Sequence, residues 1–302
     1  MIAEIAALVE RVASHSETVD TLKLRRANQI RTIQASLAIE GNTLSEDQVS
    51  EILDGKHVVA PLREIQEIKN AIAVYDIADE LNPYSIADLL RAHGMMMAAL
   101  MDHPGAFRQR AVGIVKKNRL LHVAPPPRLI PQQMKELFSW LRKSRDHLLI
   151  RSCVFHYEFE FIHPFLDGNG RIGRLWQSLI LSKWNPVFLR LPVETMVYNN
   201  QDEYYQAINS SSEANDSGIF VDFMLREILH ALRRHRSEQE AVDNPLEAIL
   251  RCIQSTPGIR AGMLAERLSI SRRTVERHLQ TLKRTGAIEF RGAPRNGGYY
   301  LK

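Results

Sequence analysis

Apolar residues recur every three to four positions through most of the first 240 residues, which is the spacing of one face of a helix. Residues 2–12 and 30–37 show this pattern. Ser45 and Gln48 form a capping box at the start of a further helix that Gly55 closes. The same period predicts helices near residues 63–80, 85–101, 131–143 and 147–162. We therefore expect a mainly α fold built as a helical bundle.

One segment breaks the helical period. Between Arg110 and Pro127, the apolar runs AVGIV and RLLHV lie on either side of the polar residues KKN, and three successive prolines follow. Two such runs around a short polar turn are typical of paired strands, and proline ends a strand because it has no N–H to donate. We expect a β-hairpin here.

Residues 245–302 have a different pattern. After a short amphipathic helix, AGMLAERL, SIS and RRTVERHLQTLKRTG have the lengths of a helix, a tight turn and a second helix. Two short strands around a basic, glycine-rich tip follow, and the whole order resembles a winged helix-turn-helix domain. The start of the second helix would face the major groove of DNA and the tip would contact phosphates. The residues concerned are Ser271, Arg272, Arg273, Arg277, Arg291 and Arg295.

The charge distribution supports this division. Residues 245–302 contain eleven Lys and Arg against four Asp and Glu, a surplus of +7, whereas the whole chain carries +4, so residues 1–244 are near −3. A basic domain favours DNA as a partner because it neutralises phosphates. The alternative is a winged helix that docks onto protein and leaves its arginines in solvent. A length of 302 residues also suits two domains.

Composition excludes several other classes of protein. Cys153 and Cys252 are the only cysteines and lie far apart, so neither a disulfide framework nor a thiolate metal site is expected. No segment approaches the ~20 apolar residues that cross a bilayer. The first residues include acids among the apolar positions, which is unlike a secretory signal. We expect a cytoplasmic protein without a membrane anchor.

The main chemical signal is HPFLDGNGRIGR at residues 163–174. Pro164 ends one helix, and the next amphipathic run begins directly after the Gly-Asn-Gly turn at 168–170. That turn therefore lies at a helix N-terminus, where free N–H groups and the helix dipole attract an anion. Glycine at this point lets a phosphate approach the backbone closely. The pattern predicts a nucleotide-phosphate site.

The side chains around this turn suit the same chemistry. Arg171 and Arg174 are three residues apart on one helical face, where each can bind a phosphate. Asp167 offers the hard oxygen ligand that Mg²⁺ prefers. His163 can accept a proton from a hydroxyl, and Phe165 is expected to anchor the loop in the core. Each residue alone also has a purely structural interpretation; their occurrence together within twelve residues favours the metal–phosphate site.

This dodecamer resembles the signature of the Fic family, H-P-F-x-D-G-N-G-R-x-G-R, at every fixed position. The hairpin that ends in HVAPPP resembles the family's substrate-docking flap, with Leu121 and His122 as flap residues. FHYEFEFI resembles the lead-in helix, and EYYQAI resembles the segment that contacts adenine. The likeness covers roughly residues 30–230.

The resemblance implies a Fic-type helical bundle with a β-hairpin flap, followed by the winged helix-turn-helix domain. The implied activity is transfer of AMP from ATP to a Ser, Thr or Tyr hydroxyl of a protein, this chain included. His163 would be the general base and Asp167 would hold Mg²⁺, while the glycine-rich turn would cradle the α- and β-phosphates. Arg171 would support the pyrophosphate and Arg174 would bind the γ-phosphate. The implied ATP site comprises Glu40, Asp167, Gly168, Asn169, Gly170, Arg171, Ile172, Gly173, Arg174, Tyr204 and Tyr205.

A second feature lies far upstream. Ser36 and Glu40 are four residues apart on one face of a helix that Gly41 and Asn42 end. A carboxylate at a helix C-terminus is electrostatically unfavourable, and a cationic partner would offset this. The segment resembles the family's inhibitory motif, [Ser/Thr]-x-x-x-Glu-[Gly/Asn], whose glutamate pairs with the second arginine of the loop. The resemblance therefore implies that Glu40 binds Arg174 and inhibits the enzyme.

We divide the chain into an N-terminal helical segment that carries the inhibitory helix (1–80), a Fic catalytic core (81–232), a linker (233–244) and the winged helix-turn-helix domain (245–302). Two alternatives to AMP transfer stay open. Glu40 would orient a water in a hydrolase that removes AMP from proteins, or the core would only sense ATP in a DNA-binding transcription regulator. An intact His163 favours transfer, since sensing needs no base. The expected partners are a target protein, the chain itself and DNA, and the family suggests a homodimer.

Overall fold

The computed structural model describes residues 1–13, 19–116, 119–268, 270–293 and 297–302. For residues 19–23, 114–116, 119–123 and 239–243 it describes the backbone only.

Helices dominate the described part of the chain. In chain order they are α1 (Ile2–Ala13), α2 (Val19–Ile39), α3 (Glu46–Leu53), α4 (Leu62–Asp76), α5 (Ile86–Met96), α6 (Ile130–Lys143), α7 (Leu148–Ile162), α8 (Asn169–Ser182), α9 (Val193–Asn199), α10 (Gln201–Ala214), α11 (Gly218–Asp243), α12 (Pro245–Ser255), α13 (Ala261–Leu268) and α14 (Arg272–Arg284). The strands are β1 (Gly113–Lys116), β2 (Arg119–Val123), β3 (Ile288–Arg291) and β4 (Gly298–Leu301). Short 3-10 helices cover Ala78–Glu80, Pro127–Leu129 and Pro186–Leu189.

The chain forms two compact units. The first consists of Met1–Ala13 and Ala27–Ala231, and it contains the helical bundle and the hairpin. The second contains Leu232–Lys302 and the first part of α2, up to Arg26. None of the helices in the described ranges is long and apolar enough to cross a membrane.

Two central helices, α7 and α8, carry the site in the first unit. No residue of α7 is fully exposed, and α8 is buried along nearly its whole length. Helices buried on nearly every side depend on the elements around them, and apolar residues of α2 to α6 share one core cluster with this pair. The fully buried Trp176 of α8 fixes the arrangement, since its indole N–H donates to the carbonyl of Pro83 at 3.0 Å.

The hairpin and the C-terminal domain have the predicted topology. Strands β1 and β2 pair antiparallel, with Gly113 opposite Val123. In the second unit, α12, α13 and α14 bury one apolar cluster, and β3 pairs antiparallel with β4. An additional bridge between Ile259 and Tyr299 adds a third short piece of sheet beside β4. Three helices with a small sheet at the end are the layout of a winged helix, so the predicted fold class is confirmed.

The structure refines two of the boundaries. The helix predicted to reach residue 101 ends at Met96, because Asn70 of α4 donates to the carbonyls of Met96 and Ala98 and Ala99 adopts a left-handed conformation. Residues 233–243, predicted as a linker, form the last part of α11. They are polar but include three Arg and two Glu, which have high helix propensity. The domain limits themselves stay a prediction.

Candidate nucleotide-phosphate site

The loop between α7 and α8 starts at His163 in a left-handed conformation, with φ 50° and ψ 61°. Its N–H still donates to the carbonyl of Phe159 at 2.9 Å, and Pro164 prevents any further turn of helix. A non-glycine residue in this region is strained and is found preferentially at functional sites. Residues 164–168 then lead directly into α8, which begins at Asn169.

Phe165 and Asn169 anchor the loop. Phe165 is fully buried and stacks on the ring of His93, with 3.6 Å between ring centroids. The side chain of Asn169 is buried and makes two hydrogen bonds with the backbone of Phe165, one to its N–H and one to its carbonyl, each 2.9 Å long. Asn169 therefore fixes the loop through its side chain, and only its backbone is left to face a phosphate.

His93 of α5 contacts the loop through Phe165 and Asp167. Sequence analysis did not identify it. Its Nδ1 accepts the N–H of Gly105 at 2.9 Å, so Nε2 carries the proton and donates to the carbonyl of Asp167 at 3.0 Å. Burial lowers the pKa of His93 to about 4, and the imidazole is therefore neutral at physiological pH. A histidine in an apolar helix gives no signal of such a contact in the sequence.

Arg108 was also missed. Its buried guanidinium donates to the carbonyl of His163 at 2.7 Å, to that of Pro125 at 2.7 Å and to that of Arg110 at 2.8 Å. Burial lowers its pKa. Arg108 thus joins the two ends of the hairpin segment to the backbone of the candidate base.

Two arginines surround the candidate magnesium ligand, Asp167. Its Oδ1 accepts the N–H of Gly168 at 2.6 Å and lies 3.0 Å from Nη2 of Arg171. Its Oδ2 lies 3.5 Å from Nη2 of Arg63, on α4. The carboxylate is 46% exposed and therefore open to a hydrated cation, which suits the mode in which Mg²⁺ uses one carboxylate together with phosphates and waters. Among the described residues no cluster of three or more His, Cys, Asp and Glu side chains forms a further cation site.

Arg174 and the end of α2 meet inside the site. The guanidinium of Arg174 donates to Oε1 of Glu40 at 2.7 Å, to the carbonyl of Ser36 at 2.9 Å and to the Ser36 hydroxyl at 3.3 Å. Gly170 lies against the same carboxylate, and a Cβ atom at this position would collide with Glu40. The structure therefore brings together the four residues that the sequence predicted from two separate segments.

The electrostatics of this pair are those of a half-buried salt bridge. The side chain of Arg174 is 3% exposed and that of Glu40 is 31% exposed. Burial lowers the pKa of Arg174, but the charge of Glu40 outweighs this and raises the pKa above its ordinary value. A guanidinium buried to this extent requires an anion, so displacing Glu40 leaves a strong site for a phosphate.

The two tyrosines of α10 differ in their surroundings. Tyr204 is buried, and its hydroxyl lies 3.0 Å from Nε2 of His156, whose Nδ1 lies 2.6 Å from Oε1 of Gln177. Tyr205 is half-buried and packs edge-on against Tyr204 at 5.1 Å between ring centroids. Tyr204 is thus a core residue whose hydroxyl has a hydrogen-bond partner, while part of the Tyr205 ring is exposed and could contact an adenine ring.

The remaining predicted residues fall in several places. Ile172 is fully buried in the core of the first unit, and Gly173 lies against the carboxyl group of Glu160. The side chains of the flap residues Leu121 and His122 lie outside the described part of the chain.

In the winged helix, Arg273 and Arg277 are exposed and line a groove of about 440 Å³ with Thr274, Glu276 and Gln280. Ser271 caps α14 by accepting the N–H of Thr274 at 3.1 Å. Arg272 pairs with Glu276 at 2.7 Å, and Arg291 pairs with Glu289 while lying over the ring of Tyr300. Arg295 lies outside the described residues.

Known proteins resemble this chain in both units. The model of the Fic/DOC family matches residues 83–181, and a helix-turn-helix domain model matches residues 245–300. Protein adenylyltransferase fic-1 of Caenorhabditis elegans is 28% identical over 227 residues, which are 70% of this chain and 42% of that protein. Protein adenylyltransferase Fic of Nematostella vectensis is 28% identical over 209 residues, 64% of this chain and 45% of that protein. The chain spans less than half the length of these two curated relatives.

One solved structure matches the chain from end to end. A Fic family protein from Desulfovibrio desulfuricans G20 is 38% identical, with a TM-score of 0.74, and the match covers 100% of this chain and 95% of the other. Both the signature loop and the winged helix lie within this match. The chain therefore belongs to the Fic/DOC family.

Proposed function

We propose that this protein is an adenylyltransferase that moves AMP from ATP to a Ser, Thr or Tyr hydroxyl of a protein, with its own chain among the acceptors. The observation that supports this most directly is the loop at 163–174, which assembles a candidate base, a half-exposed carboxylate and two arginines at the N-terminus of α8. The names of the curated relatives point to the same activity.

The chemistry divides among the loop residues. His163 takes the proton of the target hydroxyl while the hydroxyl oxygen attacks the α-phosphorus of ATP. The bond between the α-phosphorus and the bridging oxygen breaks, and pyrophosphate leaves with the electron pair. Arg171, Arg174 and the N–H groups of the Gly168–Gly170 turn stabilise the negative charge. Asp167 would hold Mg²⁺, which would neutralise phosphate charge.

Glu40 inhibits the enzyme in this proposal. Its carboxylate binds the Arg174 guanidinium, which would otherwise bind the γ-phosphate, and it lies against Gly170 in the phosphate-binding turn. ATP would then bind with its γ-phosphate displaced and its α-phosphate out of line with the attacking hydroxyl. The resting enzyme should therefore be nearly inactive.

The test is incorporation of label from ATP labelled at the α-phosphate, with Mg²⁺ present, into the chain itself and into proteins of a cell extract. We expect Glu40→Gly to raise labelling at least ~10-fold over wild type, since one coupled charge–charge contact is worth about 1.4 kcal/mol or more. Glu46→Gly, which removes an exposed carboxylate at the start of α3, is the matched control and should label like wild type.

Three further arms separate the alternatives. Label at the γ-phosphate should not be incorporated, because it leaves with pyrophosphate; incorporation of it would indicate phosphate transfer instead. His163→Ala in the Glu40→Gly background should lose labelling, whereas retained labelling would contradict the role of the base. Purified AMP-modified protein provides the third arm: AMP release that survives in Glu40→Gly would exclude a hydrolytic role for Glu40.

DNA binding by the winged helix is a second proposed function, and the basic groove on α14 favours it. Arg273 and Arg277 are exposed at the start of the helix that would enter the major groove, and they follow the serine cap at 271. Full-length protein should bind duplex DNA in fluorescence anisotropy more tightly at low salt than at physiological salt. The Arg273→Ala/Arg277→Ala variant should lose most of this binding. The Arg251→Ala/Lys283→Ala variant removes the same charge elsewhere in the domain and should retain it; equal losses in both would contradict a specific surface.

A further inference from the structure

Glu160 is a buried carboxyl group directly behind the candidate base. It lies on α7, three residues before His163, and its Oε2 is 3.9 Å from Nδ1 of that histidine. Glu160 is 9% exposed, and its Oε1 has no hydrogen-bond partner among the described residues. A buried carboxyl group with an unsatisfied oxygen is costly, so its retention beside a catalytic loop points to a function.

The packing of α8 against α7 limits what Glu160 can contact. A Cβ atom at Gly173 would lie 2.7 Å from Oε1 of Glu160, so the carboxyl group in this position lies directly against the backbone of α8. His156 is the other nearby ring, with Nε2 at 4.0 Å. Its Nδ1 faces the Gln177 carbonyl oxygen and its Nε2 faces the Tyr204 hydroxyl, so both ring nitrogens have other partners. The contact of Glu160 that leads to the loop is the one from its Oε2 to Nδ1 of His163, at 3.9 Å.

The exposure of His163 shows how its ring is turned. The Nδ1 atom is buried, on the side of Glu160, although the side chain as a whole is 20% exposed. The exposed edge of the ring is therefore the one away from Nδ1, which carries Nε2. A target hydroxyl reaching the loop from solvent meets that edge.

We propose that Glu160 is the positioning residue of the base: its carboxylate accepts the Nδ1 proton of His163 and keeps Nε2 free to take the proton of the target hydroxyl. This deepens the proposed transferase function and rests on it. When the proton arrives at Nε2, the imidazolium that forms lies beside a carboxylate in a dry environment, which stabilises the developing charge. Separations near 4 Å in a resting site commonly shorten when substrate binds.

The proposal requires ionised Glu160 and so predicts a pH dependence. Burial raises the pKa of Glu160 to about 8, Arg174 opposes this, and Glu40 adds to it. The other groups that face the carboxyl are His156 and His163 on α7 and the hydroxyls of Tyr204 and Tyr205 on α10, both of which interact electrostatically with it. Activity should therefore rise with pH as Glu160 loses its proton. In Glu40→Gly this rise should occur at lower pH, because one negative neighbour is gone.

Kinetics in the Glu40→Gly background test the proposal. We expect Glu160→Gln to lower kcat by about 10- to 100-fold, to leave KM for ATP within about 2-fold, and to remove the part of the rise of kcat with pH that belongs to Glu160. Glu160→Asp retains the charge and should recover part of kcat. Glu158→Gln is the matched control, since this half-buried carboxyl lies on the same helix and its pKa is also raised by burial, and it should change neither quantity.

A spectroscopic readout makes the result independent of the transfer activity. Ring nitrogen shifts of His163, assigned by loss of signals in His163→Asn, should report a proton on Nδ1 in wild type and a mixture of tautomers in Glu160→Gln. If the parent transfers no AMP but this tautomer change is seen, the proposed function fails and the assignment of Glu160 stands. Unchanged ring signals, or a pH profile of Glu160→Gln that superimposes on that of its parent, would overturn the proposal. Should Glu160→Gln fold poorly, Glu160→Ala also removes the carboxyl group and is read out by the same two measurements.

Discussion

At the scale of single residues, burial shifts the pKa values of histidines and glutamates in the first unit in opposite directions. Burial lowers the pKa of His93 and of His156 to about 4, so both rings are neutral, while it raises the pKa of Glu160 to about 8 and that of Glu194 to about 7. The histidines lower stability as pH falls from about 6.5 towards 4, and the glutamates lower it as pH rises from about 4.5 towards 7 or 8. Stability should therefore be greatest at intermediate pH.

Glu194→Gln tests the contribution of a buried glutamate. Unfolded Glu titrates near 4.5 and buried Glu194 near 7, so between these values the folded chain binds more protons than the unfolded chain and stability falls as pH rises. Glutamine does not titrate. The variant should therefore gain on wild type from pH 4.5 upwards and reach a constant advantage of up to about 3 kcal/mol above pH 7. Urea unfolding at pH 5 and pH 8 measures this; the exposed control Glu203→Gln should show no pH-dependent difference.

His93→Phe tests the acid side and the support of the loop. Phenylalanine can keep the stacking on Phe165 but cannot bond the N–H of Gly105 or the carbonyl of Asp167, so we expect a loss of about 2–4 kcal/mol at pH 7.5. Between pH 6.5 and 4 the unfolded wild type takes up a proton that the folded form refuses. Wild type therefore loses stability over that range, and the difference in unfolding free energy between wild type and His93→Phe becomes smaller. His57→Phe, at an exposed position, should leave stability unchanged; a gap independent of pH would contradict the neutral ring.

Sequence revealed the residues whose partners are close in the chain and concealed those whose partners are distant. The consecutive residues 163–174 display their chemistry together, and the helix-end glutamate at 40 stood out because its local environment is unfavourable. Arg108, His93 and Glu160 act through contacts that only the packed helices create. An arginine, a histidine or a glutamate in an ordinary helical or loop pattern has no local feature that separates it from a solvated side chain.

At the scale of elements, the end of α2 is held in place by more than its salt bridge. Gln201, at the start of α10, donates to the carbonyl of Ile39 at 2.9 Å. Asn42 donates to Glu67 at 2.9 Å and to the carbonyl of Glu64 at 3.2 Å, both on α4. These bonds satisfy groups that a helix end leaves open and connect the end of α2, which inhibits in the proposed function, to two neighbouring helices.

Gln201→Ala should weaken this hold without touching the Glu40–Arg174 pair. We expect AMP transfer to rise about 3- to 10-fold, less than in Glu40→Gly, because the loss of one hydrogen bond is worth about 1 kcal/mol. Gln29→Ala removes a side-chain bond from α2 to Asp76, seven residues before Ser36 on the helix, and should leave transfer unchanged. Initial rates of labelling from α-labelled ATP provide the measurement; a rate for Gln201→Ala equal to that for Gln29→Ala would contradict the role of the hold.

Element types were largely readable from sequence, and their ends less so. The capping box at Ser45 and Gln48 is present in both directions, and the hairpin pairs as its alternating runs indicated. The end of α5 at Met96 is set by Asn70, which lies 26 residues away and takes the carbonyls that a longer helix would use. Long-range capture of a helix end leaves no trace in the local pattern.

At the scale of the whole molecule, charge is divided unevenly. The winged helix-turn-helix domain has a surplus of +7 and the rest of the chain is near −3. Within the domain, Arg272 and Arg291 are paired with glutamates. The net charge therefore overstates the positive surface available to DNA, and the exposed Arg273 and Arg277 account for much of what is left on α14.

The salt dependence of DNA binding should reflect those two residues. If Arg273 and Arg277 each neutralise one phosphate, the slope of log K against log salt should become shallower by about 2 in the Arg273→Ala/Arg277→Ala variant. Anisotropy titrations of the full-length protein at several salt concentrations measure the slope. An unaltered slope with weaker binding would assign the arginines to base contacts instead.

Arg174 binds Glu40 and, in the proposed function, also binds the γ-phosphate of ATP, so these two anions compete for one guanidinium. In that proposal the coupling is reciprocal: the factor by which the docked end of α2 lowers the affinity for ATP is the factor by which bound ATP weakens the docking of α2. A binding partner that displaced the end of α2 would raise the affinity for ATP by the same factor. The concentration of ATP at which the protein becomes occupied would then depend on what is bound at the N-terminal segment.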